Sequence, residues 1–173
     1  MSFALDTGRL HLTELEASDV QFVYDLFTDP DCIRFIGDRG IRNLSDASKY
    51  LQDRLIDSYK KHGVGLYKVT LKTDSEPMGI CGLVKRDEAN PPDIGFAFLP
   101  EFRSGGFCTE AAQAVLDWAK SNQVSDTILA YTSPDNQASI RVLEKIGLVK
   151  KSSTSLPGQD FESLILSITL IPI

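Results

Sequence analysis

The sequence predicts a mixed α/β fold in which a twisted, largely antiparallel sheet is flanked by helices. Three observations carry this. Three strand-like runs follow one another across turn-forming residues in mid-chain, a meander and not a series of β-α-β crossovers. A glycine-containing turn then opens onto an amphipathic helix, and two late helices alternate with strands. Finally, 42% hydrophobic and 24% charged residues match the composition of an ordinary globular domain.

The elements follow in order. Arg9-Leu10-His11-Leu12-Thr13 alternates and reads as a strand. Ser18-Asp19-Val20-Gln21 offers a capping box for a helix with Val20, Val23, Leu26 and Phe27 on one face. Thr28-Asp29-Pro30 ends or interrupts it, because the residue before proline is pushed out of the α region. Ser45 is the expected cap of a second helix carrying Ala47, Tyr50, Leu51, Leu55 and Tyr59, with Gly63 at its left-handed C-terminal position. Strands are expected from Gly65 to Leu71, Met78 to Lys85 and Ile94 to Leu99, joined by turn-like residues 73–77 and 87–92. A helix from Cys108 to Asn122 buries Ala111, Ala112, Val115, Leu116 and Ala119. A strand from Thr127 to Thr132, a helix from Gln137 to Ile146 stopped by Gly147, and a strand from Ser163 to Leu170 complete the chain.

At 173 residues the expectation is one domain spanning 1–173. Such a domain buries roughly 70% of its unfolded surface and needs neither disulfide nor metal to hold it. Formal charge is 18 − 24 = −6, with pI about 4.9. That balance repels phosphate backbones and argues against nucleic-acid binding. No apolar run approaches ~18 residues, and MSFALDTGRLHL lacks a signal-peptide core, so a cytoplasmic chain without a membrane partner is expected. Cys32, Cys81 and Cys108 form no CxxC pair and read as reduced thiols. His11 and His62 belong to no HExxH motif, and no metal is expected.

Two stretches could carry chemistry. In Arg103-Ser104-Gly105-Gly106-Phe107-Cys108-Thr109-Glu110-Ala111 a strand runs into paired glycines and then a helix start. Glycines turn backbone N–H groups towards a ligand without Cβ obstruction, and a helix start adds unsatisfied donors, so the segment suits an anion. Arg103 is expected to strengthen it. An ordinary turn plus helix cap accounts for the glycines equally well. No lysine follows them, which excludes a Walker A loop, and no GxGxxG opens an early β-α-β unit. In the second stretch, Asn136 to Leu148, Asn136 reads as an N-cap, Ser139 as a hydroxyl near the helix start and Gly147 as the stop.

Together and in this order, the two stretches resemble the GNAT superfamily of acetyl-CoA-dependent N-acetyltransferases. Arg103-Ser104-Gly105-Gly106-Phe107-Cys108 is similar to its Q/R-x-x-G-x-G/A pyrophosphate loop. Gly106-Phe107-Cys108-Thr109-Glu110-Ala111 is similar to the G-Y-A-T-E-A version found in the branch of ribosomal-protein N-terminal acetyltransferases. Thr7 to Leu12, Asp29 to Gly37 and Asp93 to Phe96 extend the likeness along nearly the whole chain.

The resemblance implies a sheet with splayed central strands that admit the pantetheine arm of acetyl-CoA, the cosubstrate. It implies that this arm pairs with the backbone of Ala97, Phe98 and Leu99. The pyrophosphate would rest on the N–H groups of Arg103, Ser104, Gly105, Gly106, Phe107 and Cys108, with Thr109 beside them. Asn136 would bond the pantetheine and Ser139 would lie by the sulfur. Asp93 stands where relatives often carry a glutamate acting as base or water anchor; Glu162 is a second candidate base. Ser104 replaces a frequent glycine, Cys108 a small Gly/Ala, and Thr13 a frequent arginine. A thiol in the first helical turn is expected to have a lowered pKa, which makes Cys108 a candidate for a mixed disulfide with CoA.

The implied reaction is direct attack of a neutral amine on the thioester, the protein aligning the partners and helping the thiolate depart. An α-amine of pKa ~8 is roughly 10% neutral at pH 7, whereas a lysine amine near ~10.4 is under ~0.1% neutral. A weak base therefore suits a protein N-terminal amine, with a small-molecule amine (amino acid, polyamine or aminoglycoside) or a silent acetyl-CoA-binding module as alternatives. The acceptor residues are expected between Ser18 and His62, on a protein that is a monomer or homodimer.

Overall fold

The computed structural model describes residues 2–157, 159 and 161–171. Eight strands form one sheet in the order β1-β2-β3-β4-β5-β6-β8-β7. They are β1 (Ala4–Asp6), β2 (Leu10–Thr13), β3 (Leu66–Leu71), β4 (Pro77–Val84), β5 (Asp93–Phe98), β6 (Thr127–Thr132), β7 (Val149–Ser155) and β8 (Glu162–Thr169). Helices α1 (Val20–Phe27), α2 (Pro30–Ile36), α3 (Leu44–Tyr50) and α4 (Asp57–His62) lie between β2 and β3, and a π-wound stretch, Leu51–Ile56, joins the last two. Helix α5 (Phe107–Ser121) links β5 to β6, and α6 (Gln137–Lys145) links β6 to β7.

The mixed α/β expectation holds, and alternation along the strands assigns the two faces. Cys81, Leu83, Ile94 and Phe98 join the core beneath α5 and α6, with Ala111, Ala112, Val115 and Leu143. Ile80, Leu66 and Ala97 point the other way, into a second core with Phe22, Val23, Leu26, Phe27 and Leu51. The central strand β4 is buried along nearly its full length. Its Gly82 lies so near Gly65 that a Cβ would overlap the Gly65 carbonyl oxygen, so only glycine fits there.

Several expectations are corrected. The cap before α1 is not at Ser18: the Asp19 carboxylate accepts from the Glu16 N–H at 2.8 Å and pairs with Lys68 Nζ at 3.0 Å, tying the helix start to β3. Asn43 rather than Ser45 caps α3, accepting from the Asp46 N–H at 2.8 Å. Asp29-Pro30 does not merely end α1. It begins α2, with the Asp29 side chain accepting from the Cys32 N–H at 3.1 Å and proline at the first helical position. Strands β1 and β7 were not expected.

Between β5 and β6 the sheet is nearly interrupted. These strands run parallel and share one registered pair, Asp93↔Leu129. Beyond it, from Ile94 to Phe98, β5 is laddered to β4 alone. The gap opens towards the start of α5 on one strand and towards α6 on the other.

Candidate active site

The gap continues into a cleft of about 580 Å³ that reaches both sheet faces. On its α5 side the chain leaves β5 through Pro100–Phe102 and turns at Ser104 and Gly106, whose φ angles are 70° and 78°. Helix α5 starts immediately, with no side-chain cap. None of the N–H groups from Ser104 to Thr109 finds an acceptor among the described residues. Six donors without acceptors beside a 15-residue helix's positive end make the segment chemically suited to an anion. Ser104 is not a glycine, and its left-handed φ costs about 1 kcal/mol.

Two residues the sequence reading passed over fasten this loop. Glu110, in the first turn of α5, accepts from Thr7 Oγ1 at 2.6 Å, from the Arg9 N–H at 2.8 Å and from Arg9 Nε at 2.7 Å. Burial raises the Glu110 carboxyl, but these donors outweigh it and hold the pKa below its ordinary value. Arg9 lies over the Phe107 ring at 4.4 Å and donates from Nη1 to the Gly105 carbonyl at 3.2 Å. Thr7-Gly8-Arg9 is therefore a clamp on the loop as well as a turn.

Arg103 corrects an expectation. Its guanidinium does not point into the donor-rich loop: it pairs with Asp29 at 2.7 Å and Asp31 at 3.0 Å, and its Nε donates to the Phe98 carbonyl at 3.0 Å. The positive charge is spent on docking α2 to the end of β5. Along β5, the Leu99 N–H is bonded to Met78 O at 2.9 Å, so the antiparallel alternation turns the Phe96 and Phe98 N–H groups towards the open edge. Ala97 and Phe98 line the cleft; Leu99 and Gly105 do not.

Across the gap, Asn136 caps α6 by accepting from the Ser139 N–H at 3.2 Å, which leaves its NH₂ free. Asn136 and Ser139 both line the cleft, and among the described residues the Ser139 hydroxyl has no hydrogen-bond partner. Cys108 is partly buried against the core, and burial pushes its thiol up to about 12, the reverse of the lowering expected from the helix start. The other two thiols are also raised by burial, Cys32 to about 11 and Cys81 well above its ordinary value.

The second compartment lies on the α1–α3 face. Asp93 is 3% exposed and held by Arg86, Nε at 2.9 Å and Nη2 at 3.1 Å. Burial raises its carboxyl and Arg86 pulls it back, leaving the pKa at about 6. Arg86 also lies over the Tyr131 ring at 5.0 Å. Phe27, Phe35 and Tyr50 form an aromatic wall, with Phe27 and Tyr50 rings 5.0 Å apart. Gln159, from the β7–β8 connection, donates to the Ile36 carbonyl at 3.2 Å and accepts from Ser163 Oγ at 2.7 Å, roofing this side. Glu162 is elsewhere: it is exposed on β8 and accepts from Ser153 Oγ at 2.7 Å, so it is not a base for this cleft.

Asp93, Ser139, Asn136 and the loop are thus gathered at one cleft, while Arg86, Tyr131 and Gln159 were missed. Among the described residues no group of three or more His, Cys, Asp or Glu is arranged to hold a metal ion. No helix there is long and apolar enough to cross a membrane.

Proteins of known sequence and structure share this chain's sequence and fold. The Bacillus subtilis protein YkkB is 31% identical over 147 residues, covering 83% of this chain and 84% of that one. A crystal structure of a GNAT-family acetyltransferase from Bacillus anthracis is 23% identical and superposes with a TM-score of 0.81, over 97% of this chain and 99% of that one. RimL, a ribosomal L7/L12 alpha-N-protein acetyltransferase in complex with coenzyme A, shares the fold at a TM-score of 0.83 and 15% identity, over 96% and 98% of the two chains. The acetyltransferase (GNAT) domain matches residues 9–149. Splayed strands, donor-rich loop and sequence kinship together make this chain a member of the GNAT acetyltransferase family.

Proposed function

We propose that the protein transfers the acetyl group of acetyl-CoA to an α-amine by direct attack, the whole chain 1–173 acting as one cytoplasmic domain. The observation that carries this reading is the convergence on one cleft of six unpaired N–H donors, an open strand edge, a free hydroxyl and a buried carboxyl. The N–H groups of Ser104 to Thr109 hold the diphosphate, whose charge the start of α5 favours. The open edge of β5 at Phe96 and Phe98, with the Asn136 NH₂ opposite, aligns the pantetheine arm. Ser139 donates its proton to the departing sulfur.

Asp93, poised near pH 6, takes the amine proton through a water or directly. Its carboxylate is a weak base, and the Arg86 cation beside it favours the neutral form of an incoming amine. Both features suit an amine that is already partly neutral. A protein N-terminus satisfies that demand, as does a small α-amine whose own carboxylate is absent or neutralised by a neighbouring cation. The roof made by Gln159 over the aromatic wall favours the small acceptor.

The test is acceptor-dependent release of free thiol from acetyl-CoA, with the acetylated product identified by mass. Peptides with free N-termini run against a panel of small amines. Acetylation of a small α-amine supports the reading, and acetylation of peptides alone moves the acceptor to a protein N-terminus. Ser139→Ala lowers kcat by about 100-fold while calorimetric acetyl-CoA binding persists. A chain that binds no acetyl-CoA refutes the reading.

A further inference from the structure

Charge in the cleft runs against charge in the chain. The protein carries −6 overall. Yet the cleft is lined by five cations, Arg39, Arg86, Arg103, Arg141 and Lys145, and two anions, Asp31 and Asp93, a balance of 5 − 2 = +3. Arg103 is spent on Asp29 and Asp31, and Arg86 on Asp93. Arg141 and Lys145 lie on α6, which packs on the sheet face opposite the aromatic wall. Arg39 remains. It follows α2 on the aromatic side, is exposed, and has no acidic or hydrogen-bonding partner among the described residues. Its field reaches the wall itself: burial raises the Tyr50 hydroxyl pKa, and the guanidinium groups of Arg39, Arg54 and Arg86 all pull against that rise.

An acceptor compartment for a basic peptide or a polyamine would be lined with carboxylates. Here the buried carboxylate, Asp93, is already neutralised by a bidentate arginine, and the other one lining the cleft, Asp31, is paired with Arg103. A second guanidinium is left free beside Phe35 and Tyr50. We propose that the acceptor is an amine that also bears a carboxylate, an α-amino acid with an apolar or aromatic side chain, and that Arg39 selects for the carboxylate. Its amine faces Asp93, its side chain lies against Phe27, Phe35 and Tyr50, and its carboxylate pairs with Arg39, whose planar fork suits two carboxylate oxygens. Resting on the acetyltransferase reading, the inference narrows the acceptor to one chemical class.

The experiment compares matched acceptors: apolar and aromatic α-amino acids, their α-amides, the decarboxylated amines, and a phospho-amine of similar size. The amide's amine is the more readily deprotonated, so a preference for the acid runs against amine basicity and reports recognition of the charge. The expected kcat/KM ratio of acid to amide is about 10 or more, carried by KM, and Arg39→Gln brings it to about 1 or below. Arg39→Lys restores part of the ratio, and Arg34→Gln, which removes a neighbouring exposed arginine stacked on Phe35, leaves it intact. A ratio at or below 1 in the natural protein overturns the inference, as does one that survives Arg39→Gln. Preference for the phospho-amine overturns the carboxylate assignment. If amides, bare amines or peptides are acetylated and amino acids are not, the acceptor class fails while the transferase stands; if no amine is acetylated, the transferase reading itself falls.

Discussion

Replacing Asp93 with asparagine should make the protein more stable and less active, and the size of the first effect follows from burial. Asp93 is 3% exposed, and its carboxyl is raised from its ordinary 3.8 to about 6, burial outweighing the two hydrogen bonds from Arg86. A carboxyl whose folded pKa is raised adds stability below its unfolded value and loses it as pH rises through the folded value. A rise of a little over two pH units, at about 1.36 kcal/mol each, makes the ionised side chain cost about 3 kcal/mol at pH 8. At pH 4.5 the same relation gives about 1 kcal/mol. Asparagine has the shape of the protonated acid and no charge to bury, and Arg86, with its side chain 40% exposed, keeps water as a partner. Asp93→Asn should therefore exceed the natural protein by about 3 kcal/mol at pH 8, or about 6–12 °C in Tm, and by about 1 kcal/mol at pH 4.5. Urea unfolding at the two pH values reads this directly. A variant less stable than the natural protein at pH 8 would refute the reasoning, because the Arg86 pair would then outweigh burial. In the same protein, log kcat should fall with unit slope below pH about 6 as Asp93 protonates, and the asparagine variant should lose that limb together with most of its rate.

Two further outcomes are expected. Because burial raises all three thiols, two of them to about 11 and about 12, iodoacetamide at pH 8 should leave Cys32, Cys81 and Cys108 unlabelled in the native protein and label all three in urea. Fast native labelling of Cys108 by mass spectrometry would restore a reactive thiol. Gly82→Ala drives a methyl group into the Gly65 carbonyl between two buried strands, so a loss of about 3 kcal/mol or more in denaturant unfolding is expected, and a loss under about 1 kcal/mol would mean that β3 and β4 can part there.

Elements whose formation is decided locally were legible. Strand β6 has the bounds expected for it, Thr127–Thr132, because a short run of apolar and β-branched residues is bounded there by Ser125-Asp126 and Ser133-Pro134. Helix α5 begins one residue earlier than expected and buries the five residues its periodicity named. Strand β7 was invisible for the opposite reason: Val149–Ser155 is almost wholly exposed, and its shape comes from pairing with β8. The start of α2 was hidden because Asp29-Pro30 carries both a stop and a start signal. The site divides in the same way. The loop from Ser104 to Thr109 is contiguous in sequence and could be read as a unit. The aromatic compartment is assembled from β5, β6, three helical segments and the β7–β8 connection, so no local pattern announces it. Arg103 was misjudged because the carboxylates that claim it lie 74 and 72 positions away.

The single rung between β5 and β6 has a mechanical consequence. A continuous sheet spreads load over a ladder of backbone bonds; here the five-stranded and three-stranded leaves meet at one pair of residues, with α5 packed on β2, β4 and β5 and touching α6. The seam is therefore a soft line through the sheet, and a ligand lying along it acts as a removable stitch between the leaves. At a concentration about a hundredfold above its Kd such a ligand adds about 2.7 kcal/mol to global stability. The opening proposed to admit the thioester is also where occupancy would be converted into rigidity.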